Sequence, residues 1–274
     1  TNYIDKYSRI CIDFDAMHKE YQKQLLKSNI IDYNKCQELL ISNYTNFNDR
    51  HTRDYLTTHN EILEKIKKVN LSADFKKEII IIDNNSSDGT KEFLKNLKVS
   101  NEYKIIFQKK NLGKGNSIIT GIKEASGDLT VFQDADLEYE PDNFIRLIDY
   151  LNENKLDAVF GSRIKHHEDH FYYKLNRFAV VNLTRLINFL FKGSFTDVAT
   201  NHKLIKTDIL KKLNLQSKGF NLDFEISLKL AKYKFKCGEI AIDYFPRTYE
   251  EGKKINFSDA IKSLFIIFYF YFKS

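Results

Sequence analysis

From residue 60 onward, short β-branched runs alternate with amphipathic stretches, and this alternation limits the folds open to the chain. The run "EIIIID" (Glu78–Asp83) is continuous and apolar, as in a strand buried on both faces. Further strands are predicted at 104–107, 129–133 and 157–161, and helices at 90–97, 116–125 and 141–152. Alternating strands and helices favour right-handed crossovers, so we expect an α/β fold with a mostly parallel central sheet flanked by helices.

Acidic residues follow the predicted strands at the ends where such sheets bind ligands. In "LTVFQDADLEYE" an apolar run is followed by Asp134, Asp136 and Glu138. Side chains at i, i+2 and i+4 of an extended segment share one face, so these three acids have the spacing to hold one divalent cation. The alternative is that the strand ends there and the acids are solvated loop residues. The residues alone leave both interpretations open.

A glycine-containing loop, "KKNLGKGNSI", precedes the helix predicted at 116–125. Gly113 permits close backbone approach, and the free N–H groups of a helix N-terminus favour phosphate. The loop matches neither the Walker A motif nor the dinucleotide-binding glycine pattern. By itself it indicates an anion site without identifying the anion.

The 274 residues suffice for one large domain with an appendage. We expect an atypical, partly helical N-terminal segment at 1–54, with helices near 16–26 and 34–41, and a main domain at 55–255. A net charge of +6 without a long basic run fits phosphates or an anionic membrane better than nucleic acid. Three widely spaced cysteines favour free thiols in a reducing compartment.

The C-terminal segment 256–274 is predicted to form an amphipathic helix. Its apolar run, Leu264–Phe272, is too short to cross a bilayer. Its Tyr, Phe and Lys content suits a membrane interface. Two alternatives stay open for this run: that it packs on the core, and that it is the start of a longer segment.

Three segments in order, "IIDNNSSDGT", "NLGKGNSIITGIKEASGD" and "QDADLEYEP", resemble the nucleotide-sugar domain of inverting family 2 glycosyltransferases with the GT-A fold. The closest likeness is to dolichyl- or polyprenyl-phosphate sugar transferases, and it extends over about residues 55–272 through "GSR", "FTDVATNHKLIKTDIL", "GFNLDFEISLKLAK" and "FPRTYEEGKKINFSDAIKSL". The resemblance implies transfer of mannose or glucose from a GDP- or UDP-sugar to a polyprenyl phosphate. It also implies inversion, Mg²⁺ or Mn²⁺ as cofactor, and peripheral association with the cytoplasmic face of a membrane.

The resemblance also implies which residues form the site. Those expected to bind the nucleotide sugar are Asn60, Glu61, Asp83, Asn84, Gly113, Lys114 and Asp134. Those expected to hold the metal are Asp134, Asp136 and Glu138. Those expected to bind the acceptor phosphate are Arg163, Arg177, Lys203, Arg247 and Lys253. Those expected to take part in catalysis are Asp134, Asp136, Arg163, Asp223 and Glu225.

This division of roles agrees with the chemistry of the reaction. A dication held by carboxylates neutralises the leaving diphosphate. A phosphate acceptor is already a nucleophile at neutral pH, because its second ionisation lies near pH 6. Basic side chains that position it therefore matter more than a general base. For Asp223 and Glu225 the alternative is that they are helix N-terminal acids favoured by the helix dipole.

The likeness is weakest at "RDYLTTHNE", where the family has an apolar strand and a Pro-x-Tyr-Asn-Glu-like turn. Asn60 and Glu61 match that turn, but Thr57 and His59 do not. Two alternatives therefore stay open. One is a family 2 transferase with a saccharide or other acceptor, and the other is a catalytically degenerate transferase that acts as a binding subunit.

Overall fold

The computed structural model describes residues 55–72, 75–97, 103–165, 174–247 and 257–272. The chain divides into two compact units, Thr1–Thr52 and Arg53–Ser274. The N-terminal segment with its expected helices lies outside the described residues, so every element below belongs to the second unit.

Helices and strands alternate through the first two thirds of this unit. The helices are α1 (Tyr55–Lys68), α2 (Thr90–Leu97), α3 (Lys114–Glu124), α4 (Asn143–Glu153), α5 (Lys174–Phe191), α6 (Thr207–Lys212), α7 (Leu222–Lys232) and α8 (Phe257–Phe272). The strands are β1 (Ile79–Asp83), β2 (Tyr103–Phe107), β3 (Leu129–Val131), β4 (Ala158–Ser162), β5 (Lys203–Lys206) and β6 (Cys237–Ala241). The α/β class expected from the sequence is confirmed.

The strands pair in two groups, and one strand changes the expected topology. β1 and β2 pair in parallel, with Ile79 opposite Tyr103. The other four follow the order β3-β5-β4-β6, in which β4 and β6 are parallel. β5 runs antiparallel to both β3 and β4, so this sheet is mixed rather than mostly parallel. Neither β5 nor β6 was predicted from the sequence. The β5 stretch "KLIK" begins and ends with lysine and does not resemble a buried strand.

The main core lies between the four-stranded sheet and helices α5, α7 and α8, with Phe160, Ile187 and Leu228 fully buried. α8 contributes Ile267 and Phe270 to this core. The C-terminal segment is therefore a helix with one face packed on the core. Among the described helices, none combines the length and apolarity that a bilayer crossing requires.

His202, directly before β5, joins this sheet to the acidic segment that follows β3. Its ring lies 4.6 Å from the ring of Tyr139 and 5.4 Å from that of Phe144. Its Nε2 lies 2.9 Å from Oε1 of Gln133, the residue before Asp134. Because an amide oxygen only accepts hydrogen bonds, we assign the imidazole proton to Nε2. Burial lowers the pKa of His202 to about 3, so the ring is neutral in the folded protein.

We predict that folding stability falls as the pH drops below about 6.5, with His202 as one contributor. Because the pKa of His202 is lower in the folded than in the unfolded chain, the unfolded chain takes up the proton first. Between about pH 6 and pH 4 this residue adds a slope of about 1.4 kcal/mol per pH unit to the free energy of unfolding. Denaturant unfolding of His202→Gln, which keeps an N–H donor, should show a correspondingly shallower slope. Equal slopes for both proteins would contradict the assignment.

Candidate active site

Two aspartates after β3 each contact a basic side chain from a different part of the chain. Asp134 Oδ2 lies 2.7 Å from Nζ of Lys114, the first residue of α3. Asp136 Oδ2 lies 2.7 Å from Nη2 of Arg247, which follows β6. The acids thus share one site with a lysine from the glycine loop and an arginine from the C-terminal third of the chain.

Glu138 holds the Arg247 segment in place. Its Oε2 accepts a hydrogen bond from the Tyr244 hydroxyl (2.9 Å), and its Oε1 accepts one from the backbone N–H of Arg247 (3.0 Å). Backbone bonds add to this contact, because the N–H of Phe245 donates to the Glu138 carbonyl (2.8 Å). Both carboxylate oxygens of Glu138 are therefore engaged by residues 244–247.

The three-acid metal site expected from the sequence is corrected by these contacts. Within the described ranges, no group of three or more His, Cys, Asp or Glu side chains has an arrangement that could hold a metal ion. Asp134 and Asp136 remain as a pair, without Glu138. A pair of carboxylates still fits Mg²⁺-like ions, which bind through one or two carboxylates together with substrate phosphates and water.

The electrostatics of the pair reflect crowding of like charges. Burial, followed by the neighbouring charges of Asp134 and Glu138, raises the pKa of Asp136 to about 6, although Arg247 acts in the opposite direction. Burial alone would lower the pKa of Lys114, but the carboxylates of Asp134 and Asp223 outweigh it and raise that pKa. The lysine is therefore charged and pairs with the carboxylate of Asp134.

Asp83 ends β1, and its side chain is 3% exposed. Its Oδ1 accepts a hydrogen bond from the N–H of Ser86 (3.1 Å). Its Oδ2 is buried and has no hydrogen-bond partner among the described residues. A buried carboxylate oxygen without a donor is costly, so this atom suits a ligand that brings an N–H or O–H group.

Asn84, expected to contact the nucleotide, forms hydrogen bonds with other residues of the protein. Its Nδ2 donates to Oδ1 of Asn111 (2.9 Å), and its Oδ1 accepts from the N–H of Leu112 (2.9 Å). These bonds fasten the loop after β1 to the loop before α3. Asn84 therefore shapes the site through the two loops that it joins.

The glycines beside Lys114 are needed for packing against the segment before α7. Gly113 has φ +90°, and a Cβ atom there would lie 2.4 Å from the carbonyl oxygen of Lys218. A Cβ on Gly115 would lie 2.4 Å from the carbonyl oxygen of Ser217. The N–H of Asn116, in the first turn of α3, already donates to the Lys218 carbonyl (3.2 Å). One N–H of this helix start is thus bonded to protein backbone, and the expected role of Gly113 in binding the nucleotide sugar stays a prediction.

Two of the basic residues expected to bind the acceptor have buried side chains. Arg163 donates two hydrogen bonds to the buried carboxylate of Asp197 (2.7 and 2.9 Å). Lys203 is 0% exposed and donates to the carbonyl of Thr200 and to Oδ1 of Asp223 (3.0 Å). Burial lowers the pKa of Lys203, and Asp223 counteracts this only in part. Both side chains pair with internal acids in this structure, and their expected roles at the acceptor phosphate, with the catalytic role of Arg163, stay predictions.

The two acids expected to act in catalysis at the start of α7 are also buried. Asp223 forms the ion pair with Lys203. Glu225 is 0% exposed and accepts hydrogen bonds from the N–H of Gln216 and of Ser217 and from Nζ of Lys229. The carboxylate of Glu225 is therefore occupied by internal donors, and its catalytic role stays a prediction. Asp223 contacts the internal lysine instead of an open site.

The remaining expected residues lie on helices or outside the described ranges. Asn60 and Glu61 lie on α1 instead of a turn. α1 reaches the acidic segment through Lys65, whose Nζ lies 2.7 Å from Glu140. Arg177 is exposed on α5. Lys253 lies outside the described residues.

Several residues that organise the site were missed by the sequence analysis. Asp197 binds Arg163, and Glu239 accepts hydrogen bonds from the N–H groups of Thr196 and Asp197 (2.8 and 3.1 Å). Gln133 connects Asp134 to His202, because its Nε2 donates to the Asp134 carbonyl (2.9 Å). Asp197 was present in a quoted motif, but its partner lies 34 residues away in sequence. No local pattern indicates such a pair.

Residues 55–213 match Glycosyl transferase family 2, and this match covers more than half of the chain. The protein therefore belongs to that family.

Curated relatives agree with the family match. A dolichol-phosphate mannosyltransferase of Pyrococcus furiosus is 29% identical over 180 residues, which cover 64% of this chain and 50% of the relative. Glycosyltransferase AglJ of Haloferax volcanii is 24% identical over 191 residues, 69% of this chain and 60% of the relative. The chain thus spans between half and two thirds of the length of these relatives.

Solved structures with low identity share the fold. Glucosyl-3-phosphoglycerate synthase of Mycobacterium tuberculosis superposes with a TM-score of 0.54 at 14% identity, over 78% of this chain and 77% of that one. A second structure of that synthase, with Mn²⁺, UDP and glucosyl-3-phosphoglycerate, gives 0.52 at 15% identity, over 78% and 75% of the two chains. The expected GT-A fold is confirmed.

We predict that Gly115→Ala lowers the free energy of unfolding by about 1–3 kcal/mol, because the new methyl group would overlap the Ser217 carbonyl. Gly121→Ala, in the same helix, is the matched control, since its Cβ would meet only Ile82 at 3.8 Å. That control should be neutral or slightly stabilising, because alanine favours helix more than glycine. Urea denaturation of both variants tests this, and equal stabilities would contradict the packing role of Gly115.

Proposed function

We propose that the second unit transfers a hexose, mannose or glucose, from a GDP- or UDP-sugar to the phosphate of a polyprenyl lipid, with inversion at the sugar. The observation that carries this proposal is the aspartate pair after β3, flanked by Lys114 and Arg247, in a member of Glycosyl transferase family 2. The name of the Pyrococcus furiosus relative supports a lipid phosphate as the acceptor.

Asp83 is proposed to recognise the nucleoside. Its buried Oδ2 lacks a donor among the described residues, and a base or a ribose offers N–H and O–H groups of the required kind. Lys114 then lies on the diphosphate side of the donor, next to Asp134. Its positive charge opposes the negative charge that grows on the leaving diphosphate.

Asp134 and Asp136 are proposed to hold Mg²⁺ or Mn²⁺. Their oxygens are the ligands that these hard cations prefer, and the related synthase was solved with Mn²⁺. When bound, the cation would neutralise the diphosphate. In the reaction an acceptor phosphate oxygen forms a bond to the anomeric carbon, and the bond from that carbon to the diphosphate oxygen breaks with its electron pair on the diphosphate.

Arg247 is proposed to position the acceptor phosphate. Its guanidinium contacts Asp136 of the aspartate pair, whereas Arg163 and Lys203 pair with internal acids. Its side chain is 30% exposed, so a substrate can reach it. Arginine suits phosphate because its planar fork donates two parallel hydrogen bonds.

A surface formed by α5 and α8 is proposed to rest on the membrane that holds the lipid acceptor. Phe178 on α5 is 68% exposed and Phe265 on α8 is 73% exposed. The helices pack together, with the rings of Phe191 and Tyr271 5.9 Å apart. Exposed basic residues on the same helices complement anionic lipid: Lys174, Arg177, Arg185 and Lys262.

We predict that Asp136→Asn lowers sugar transfer at least about a hundredfold, because it removes charge at the diphosphate with little change of shape. The assay follows labelled GDP-mannose and UDP-glucose into polyprenyl phosphate in the presence of Mn²⁺. Asp208→Asn is the control, since Asp208 is exposed and pairs with Lys212 on α6. Wild-type turnover by Asp136→Asn would reject the proposed site.

A second acceptor in the same assay tests the lipid part separately. If 3-phosphoglycerate accepts the sugar and polyprenyl phosphate does not, the lipid acceptor is wrong while the donor chemistry stands. If neither donor is used by the wild-type protein, the proposed transferase activity itself is wrong.

We predict that the double variant Phe178→Ser, Phe265→Ser loses most of its binding to anionic vesicles in a sedimentation assay. Two large exposed apolar side chains would no longer enter the lipid interface. Transfer to a short, water-soluble polyprenyl phosphate should stay near the wild-type level, because neither ring contributes to the aspartate site. Unchanged vesicle binding would remove this surface from the proposal.

A further inference from the structure

The segment Gln216–Gly219, which precedes α7, is held by a buried carboxylate. Glu225 Oε1 accepts a hydrogen bond from the N–H of Gln216 (3.0 Å), and Oε2 accepts one from the N–H of Ser217 (2.7 Å). Lys229, one turn later on α7, donates to Oε1 (2.6 Å). It also donates to the carbonyls of Leu213 and Asn214 (3.0 and 2.8 Å). The carboxylate thus has its charge and its acceptor capacity satisfied inside the protein.

The opposite side of the same segment contacts the beginning of α3. The Lys218 carbonyl accepts the N–H of Asn116, and the carbonyls of Ser217 and Lys218 lie where side chains on Gly115 and Gly113 would otherwise be. These contacts leave no space between the two backbones. A shift of the segment must therefore move the first turn of α3.

Lys114 lies between these two glycines, so its position depends on the segment. Its Nζ lies 2.7 Å from Asp134 and 5.6 Å from the ring centre of Phe220, which directly follows the segment. Residues 217–220 therefore determine the position of both the backbone and the side chain of Lys114.

We propose that Glu225 is a positioning residue for the donor site, because by fastening Gln216–Gly219 to α7 it sets where Lys114 Nζ lies relative to Asp134. This role differs from the catalytic one expected from the sequence. It rests on the proposed function only where it concerns the donor, since the contacts that link Glu225 to α3 through Gln216–Gly219 are present without any substrate.

Glutamate suits this position because a carboxylate accepts several hydrogen bonds at once. A glutamine in its place keeps the shape but offers one acceptor oxygen and turns an N–H₂ group towards a backbone N–H. It also leaves the buried Lys229 without its counter-charge. Aspartate keeps the charge but is shorter by one methylene. Glu225→Gln should therefore disturb the segment more than Glu225→Asp does.

The first test is hydrogen–deuterium exchange on the whole chain without nucleotide. In Glu225→Gln we expect faster exchange at Gln216 and Ser217 and also at Asn116, whose N–H is bonded to Lys218. The control is Glu239→Gln, because Glu239 likewise holds two backbone N–H groups, those of Thr196 and Asp197. The control should leave Asn116 unchanged. Exchange at Asn116 that stays at the wild-type rate in Glu225→Gln would overturn the proposal.

The second test is a double-mutant cycle on the dissociation constants of Mn²⁺–GDP and Mn²⁺–UDP, measured by calorimetry. We expect Glu225→Gln to weaken binding about tenfold, as is typical when a residue that supports a binding group is lost. Glu225→Asp should restore most of the affinity. In a Lys114→Met background, Glu225→Gln should have no further effect, because it acts through Lys114.

The outcomes separate the two proposals. An equal loss of affinity with and without Lys114 would overturn the positioning role while leaving nucleotide binding intact. A wild-type protein that binds neither nucleotide would overturn the proposed function, and the exchange at Asn116 would then still decide whether Glu225 controls α3. If Glu225→Gln does not fold, Glu225→Asp replaces it in both tests, with the same direction and a smaller effect.

Discussion

Charge compensation inside the protein is the constraint on which this structure depends. Acidic and basic side chains meet in pairs in and around the site, and a carboxylate taken out of water is stable only when a cation or several N–H donors replace the water. The pairs that meet this condition are Lys114 with Asp134, Arg247 with Asp136, Arg163 with Asp197, Lys203 with Asp223, and Lys229 with Glu225. The first four pairs join segments that lie apart in the sequence, whereas Lys229 and Glu225 lie one turn apart on α7.

These pairs fall into two kinds, and the difference separates structure from chemistry. Arg163, Lys203 and Glu225 are buried, and their partners satisfy them. They therefore build the frame around the site. Asp136 and Arg247 are partly exposed, and Asp83 keeps one buried oxygen without a donor among the described residues. These groups retain the capacity to exchange partners, which a ligand site requires.

The sequence predicted the local elements well and the long-range ones poorly. The helix predicted at 90–97 is found at Thr90–Leu97, and the strand predicted at 78–83 is found at Ile79–Asp83, because apolar periodicity reports directly on the buried face. β5 was missed, since its completely buried Lys203 looks like a surface residue until Asp223 is brought beside it. Gly113 was expected to permit close backbone approach, and the backbone that approaches it is the Lys218 carbonyl, which lies about a hundred residues further along the chain.

The amino-acid order alone was enough to establish the α/β class, the family and the acids at the ends of β1 and β3, because strand runs and motifs are local patterns. The folded chain was needed to show which charged residues turn to the site and which pair internally. Arg163 and Asp197 lie 34 residues apart, and Asp136 and Arg247 lie 111 apart. The path of the chain through the core brings such partners together. The sequence around either residue does not indicate which residue it will contact.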